Sequence, residues 1–243
     1  MNCFDVNLST GRWPFRQLPQ EELKNMSRKL EASGITGGMV RSLEAPFSMN
    51  IYEANEKLFD ACRAFPQFIP VPAVRPDFGL WRELKAAAAV LYPSYHQYSL
   101  LAAGTVEMVN ELLKKNILPV IVIREEDERG QHPLCKVPPA DIEEINQLAG
   151  KFPDSPFIVL NAYGYEFTKF TARNIYADTA FAEAFPALSG VVKSFGTQRL
   201  LFGSHAPFFC VSAALSKLQY NQLTPEDISA VAHKNIERLL NGR

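Results

Sequence analysis

Any chemistry in this chain has to come from hydrogen-bonding side chains set at the ends of short apolar runs. Leu200-Leu201-Phe202-Gly203 reads as a buried strand that runs into Ser204 and His205. A histidine has an ordinary pKa of about 6.5, which suits a general base that takes a proton from water. Asp178 follows Ile175-Tyr176-Ala177 in the same manner, and reads either as a catalytic carboxylate or as a helix N-cap for Thr179 onward. Asn7 and Ser9 lie at the end of the first apolar run and Asn161 at the end of Phe157–Asn161. Their neutral groups can orient a carbonyl or a water and donate to a developing oxyanion. Arg41 and Arg124, at the ends of two further runs, carry the planar fork that grips a carboxylate or phosphate. Tyr92, Tyr95, His96 and Tyr98 form a hydroxyl-rich aromatic patch suited to stacking on a ring or sugar.

Each of these has a plainer reading beside it. His205 can cap its own loop through a backbone carbonyl, and loop tyrosines commonly pack over a rim. Arg124 opens the densest charge cluster in the chain, residues 124–133, and alternating charge there also describes a solvated loop. His132, ahead of Pro133, reads as a loop histidine, and His233, in the last helix, as a surface residue.

The elements that must position these groups are short apolar runs alternating with amphipathic, helix-length segments. The strands expected are Phe4–Leu8, Gly38–Leu43, Phe68–Val74, Ala88–Tyr92, Leu118–Arg124, Phe157–Asn161, Asn174–Asp178 and Leu200–Gly203. Most are continuously apolar, as in a parallel sheet covered on both faces. Helices are expected over Gln20–Ser33, Asn50–Ala64, Thr105–Asn116, Ala140–Lys151 and Ala180–Phe195. Pro19 precedes the first helix and Gly34 follows it, and Thr224-Pro225-Glu226-Asp227 carries an N-cap, a first-turn proline and acids before the last one. Pro70 and Pro72 weaken the third strand, and 163–173 is barely a helix. Eight strand–connection units predict an α/β fold, a (β/α)8 TIM barrel spanning 1–243 as one domain, with its working face at the strand ends. The rival, an open doubly wound sheet, lacks a glycine-rich phosphate loop after any strand.

The bulk numbers agree with one globular barrel. The chain has 243 residues, with 47% hydrophobic and 21% charged content. A net charge of −1, from 25 basic and 26 acidic residues without a basic stripe, offers nucleic acid no electrostatic footprint. There is no apolar run near 18 residues to span a membrane and no signal-peptide pattern at the start. Four widely spaced cysteines suit reduced thiols, and a cytoplasmic location is expected.

Taken in order, the strand-end motifs resemble the amidohydrolase-related family of TIM-barrel, metal-dependent hydrolases. Cys3–Ser9 is similar to that family's D-x-H-x-H strand, and Phe202-Gly203-Ser204-His205-Ala206-Pro207 to its F-G-S-D-x-P. Tyr92-Pro93, Leu118-Pro119-Val120, Asn174-Ile175-Tyr176-Ala177-Asp178 and Asn235-Ile236-Glu237-Arg238-Leu239-Leu240 resemble its fourth, fifth and seventh strands and its closing helix. The resemblance implies a hydrolase of a small carbonyl compound: an amide, a lactone or a carboxylate-bearing substrate. It places the family's metal-binding histidines on Asn7, Ser9, Ile123 and Asn161, and its aspartate on His205. Ile123 has no lone pair and the rest lack soft donors, so no tight zinc site is expected. The metal site is degenerate. Zinc, as a weakly held divalent metal, stays open; otherwise no cofactor is expected. Catalysis, if it survives, falls to His205 and Asp178. Asn7, Ser9, Arg41, Tyr92, His96, Arg124 and Asn161 would then bind the substrate. The alternative is a catalytically silent TIM barrel that binds a small molecule or a partner protein. Homo-oligomerisation stays open.

Overall fold

A computed structural model of the chain describes residues 2–19, 22–183, 187–220 and 222–242. Eight parallel strands follow one another around a barrel: β1 (Cys3–Thr10), β2 (Ile35–Ser42), β3 (Phe68–Pro70), β4 (Ala88–Leu91), β5 (Leu118–Val122), β6 (Phe157–Leu160), β7 (Ile175–Asp178) and β8 (Leu200–Leu201). They form two laddered groups, β1-β2-β3 and β4 through β8. Single bridges join the groups into a ring. Val74 N–H donates to Val90 O and Val90 N–H to Pro72 O across the β3–β4 seam. At the other seam Val6 N–H donates to Phe202 O and Ser9 N–H to Ala206 O, both at 2.9 Å, so the first strand closes on the last as expected.

Helices cover the outside: α1 (Leu23–Ala32), α2 (Ile51–Cys62), the short α3 (Pro93–His96), α4 (Ala103–Lys114), α5 (Ile142–Gly150), α6 (Ala187–Phe195), α7 (Val211–Gln219), α8 (Pro225–Ser229) and α9 (Asn235–Asn241). One apolar cluster ties the strands to these helices through residues such as Leu30, Leu112, Ile145 and Leu188. A second fills the barrel with Val6, Met39, Val90, Val120, Ile158 and Leu201. Such two-sided burial is why the strands read as unbroken apolar runs. Among the described residues no helix is long and apolar enough to cross a membrane.

Several expected boundaries move for local reasons. The third strand stops at Pro70 rather than Val74, because Pro70 and Pro72 have no N–H to give to a ladder. The helix expected from Gln20 begins at Leu23, and Gln20 itself lies outside the described residues. Asp178 caps no helix: residues 179–183 form a turn and irregular chain, and α6 begins only at Ala187. The expected cap at Thr224 is present, its Oγ1 accepting from Asp227 N–H at 3.1 Å ahead of α8. The expected weak helix at 163–173 is a 3-10 turn, Gly164–Lys169.

Candidate functional site

The strand ends converge on a polar cluster that is wholly buried, and β1 makes this possible by bulging. Its pairing register with β2 slips between Asp5 and Leu8, and there the Asp5 carboxylate accepts Asn7 N–H at 3.0 Å. Gly203 leaves room next to it; a Cβ at that position would lie 2.3 Å from Asp178 Oδ2.

Asn7 is the hub. Its Nδ2 donates to Asn161 Oδ1 at 2.6 Å and to Asp178 Oδ2 at 2.7 Å, and its Oδ1 accepts from Arg41 Nη2 at 2.7 Å. Asp178 also accepts the N–H groups of Asn161 and Ala180. Burial pushes its carboxyl upward, against the pull of those three donors. Asn161 is held in the left-handed region, φ 67°, where its short amide can turn back to bond the Arg124 carbonyl. Ser9 is buried beside the β1–β8 seam.

The two arginines are already engaged. Arg41, 1% exposed, pairs with the Glu125 carboxylate and donates to Tyr92 Oη at 3.0 Å. Burial disfavours its charge, but Glu125 and Tyr92 outweigh burial and hold the guanidinium protonated. Arg124 forks onto Glu166 with two bonds of 2.7 Å and gives a third to Asn161 O. The carboxylates they grip belong to the chain itself. Tyr92 is buried as Arg41's partner, so it does not offer a ring to the mouth.

His205 stands at the strand end, enclosed by its neighbours. It is 0% exposed, and its Nε2 lies 2.8 Å from Glu125 O and its Nδ1 3.3 Å from Asn7 Oδ1. Burial first, and the Arg41 charge second, push its pKa down to about 3. Phe208 lies flat on its ring, centroids 4.6 Å apart and planes 8° from parallel. Phe208 in turn meets Trp13, which packs edge-on against Phe15 and Phe47, so an aromatic cover closes the mouth. His96 is also buried. Its Nε2 bonds Ala45 O at 2.9 Å, and burial takes its pKa down to about 4.

Three functional groups escaped the sequence reading. Glu125 and Glu166 hide in a charged loop and a weak helix, and Asp5 sits inside the first apolar run. All three are buried. Asp5 Oδ1 accepts from Asn7 and Ser204 N–H while its Oδ2 has no partner. Burial lifts its pKa to about 6. The one available signal was an acid flanked by Phe4 and Val6.

These residues do not fit a divalent metal. Asn7, Asn161 and Asp178 spend their donor atoms on one another, and the Arg41 guanidinium already places a positive charge against Asn7 and Glu125. Ile123 belongs to the apolar cluster that faces the helices. Among the described residues no group of three or more His, Cys, Asp or Glu side chains is arranged to hold an ion.

No family model and no curated protein matches the sequence. Solved structures do resemble the fold. The chain is similar over 99% of its length to 98% of a 2,6-dihydroxybenzoate decarboxylase from Rhizobium, with a TM-score of 0.74 and 14% identity. It is similar to the whole of a candidate amidohydrolase from Staphylococcus aureus, over 99% of this chain, with a TM-score of 0.74 and 12% identity. The third is a dihydroxybenzoic acid decarboxylase from Polaromonas with bound manganese and an inhibitor: TM-score 0.69, 14% identity, covering 100% of this chain and 98% of that one. The chain thus shares the (β/α)8 barrel fold of these proteins.

Proposed function

We propose that this chain, an amidohydrolase-type barrel by fold, is a catalytically silent TIM barrel that binds a small molecule at its rim. Its centre is given over to a self-satisfied polar network. The observation that carries this reading is Phe208 lying flat on His205 beneath the aromatic cover. The five cavities found around the described residues do not have Asn7, Arg41, Asp178 or His205 in their walls. An active centre needs a space where a reacting atom sits about 3 Å from its catalytic groups. With its four cysteines unbridged, the protein suits a cytoplasmic setting.

A second reading is favoured by Asp178, a buried carboxyl of raised proton affinity at a strand end. In it the protein is a metal-independent hydrolase of a small amide, lactone or carboxylate-bearing compound, on the fold it shares with decarboxylases of aromatic carboxylates. Asp178 and His205 would act and Asn7, Ser9 and Asn161 would bind, once the aromatic cover had swung aside.

One preparation tests both. Protein purified without added metal or chelator should carry no stoichiometric zinc or manganese. It should show no turnover above buffer on lactones, amides and hydroxybenzoates, with or without Mn²⁺ or Zn²⁺. Turnover that disappears in Asp178→Asn would replace the silent barrel by the second reading. One equivalent of metal, lost in Asn7→Ala, would overturn both.

A further inference from the structure

The buried pair Arg124–Glu166 supports something outside the barrel. The Tyr163 ring lies over the Arg124 guanidinium, 4.0 Å from Cζ to ring centre, and Tyr163 N–H donates to Glu166 Oε2 at 2.8 Å. The ring is thereby fixed from beneath and at its own backbone. Tyr165 stands nearly parallel to it, centroids 5.6 Å apart and planes at 21°, and Phe181 meets it edge-on. These three rings wall an open cavity of about 480 Å³ on the strand-end face, within the range of small-ligand sites.

The charge around the cavity chooses the ligand. Its remaining walls include three carboxylates, Asp127, Glu128 and Glu183, and one guanidinium, Arg129. That guanidinium is forked onto Asp127 by bonds of 2.8 and 2.7 Å, so it has little left for a ligand anion. Glu128 lies 3.4 Å from Arg124 Nε, so Glu183 is the wall carboxylate left to face a ligand, and a carboxylate beside rings of fixed orientation attracts cations through both the ring quadrupole and simple Coulomb force. Lys169 gives an intramolecular instance, its Nζ 5.6 Å from the Tyr165 ring centre. We infer that this rim cavity binds a small organic cation, an ammonium group carried on a flat or aromatic body. The rings would take the body, and Glu183 the ammonium. Arg124 is then a positioning residue for the platform. The inference rests on the ligand-binding reading above, and it excludes a free carboxylate as the preferred ligand here.

Calorimetric titration at low salt with three para-substituted phenols tests it: tyramine, neutral 4-ethylphenol and 3-(4-hydroxyphenyl)propanoate. Tyramine should saturate, and the neutral and acidic phenols should bind about tenfold more weakly or not at all. Tyr165→Ala and Glu183→Gln, both at exposed positions, should each weaken tyramine several-fold with melting temperatures unchanged, and added salt should weaken it further. Absent tyramine saturation, equal or tighter binding of the propanoate, or indifference to both variants would overturn the inference. Tyramine binding alongside substrate turnover would sink the silent barrel and leave the cation site standing.

Discussion

Arg41→Met is expected to destabilise the protein by about 3–5 kcal/mol, the size of effect seen when one member of a buried ion pair is removed. Methionine fills much of the volume, so packing loss is small. What remains is the Glu125 carboxylate, 1% exposed and stripped of its cation, with Tyr92 Oη and Asn7 Oδ1 each short of a donor. For a chain of this size, such a loss is a fall in melting temperature of about 10 °C or more. The Arg41→Met/Glu125→Gln double variant should recover a substantial part of it, because the uncompensated charge is gone; thermal unfolding of the four proteins measures that coupling. A single variant that melts within a degree or two of the parent would mean that the pair adds nothing at the barrel centre. So would a double variant no better than the single.

Asp5→Asn should change how stability depends on pH. The carboxyl titrates at about 6 in the folded protein against an ordinary value of 3.8. Between those values the folded state holds a proton that the unfolded chain has released. Stability therefore declines as pH rises from about 4 to about 6, and stays lowered above that. The difference corresponds to roughly 3 kcal/mol. Asparagine keeps an oxygen to accept from Asn7 and Ser204 N–H and removes the charge. Its extra amide group changes stability equally at every pH, so it cancels when each protein is compared with itself. Relative to the parent, the variant should gain about 5–10 °C in melting temperature between pH 4 and pH 7.5. Parallel pH profiles for the two proteins would show that Asp5 does not titrate in this window.

The sequence disclosed the fold more fully than the site, for reasons that lie in range. A buried parallel strand is a local pattern, so Leu118–Val122 and Phe157–Leu160 announce themselves from a handful of neighbours. Pro70 and Pro72 flag the short third strand in the same local way. Asn7, Asn161, Asp178 and His205 were legible as strand-end groups for the same reason. Their state was not legible. Whether Arg41 meets a ligand or Glu125 depends on a residue 84 positions away, and nothing in Arg124–Arg129 marks Glu125 and Glu126 as buried acids beside the exposed Glu128. His205 looked reactive because Phe208, three residues on, shows its stacking only once the loop is folded back over the ring.

The bonds at the barrel centre also fix when they can be made. They join Asn7 to Asn161, Asp178 and His205 across 154, 171 and 198 residues. Loop closure over such distances precedes any reward from the contacts themselves. Until β1 takes its place beside β8, Asn7 cannot bond Asp178 or His205 and Asp5 cannot accept Ser204 N–H. The residues in the seven apolar strands before that seam can collapse without them. The polar centre is complete only in a closed ring, so its bonds certify that the strands have met in the correct register.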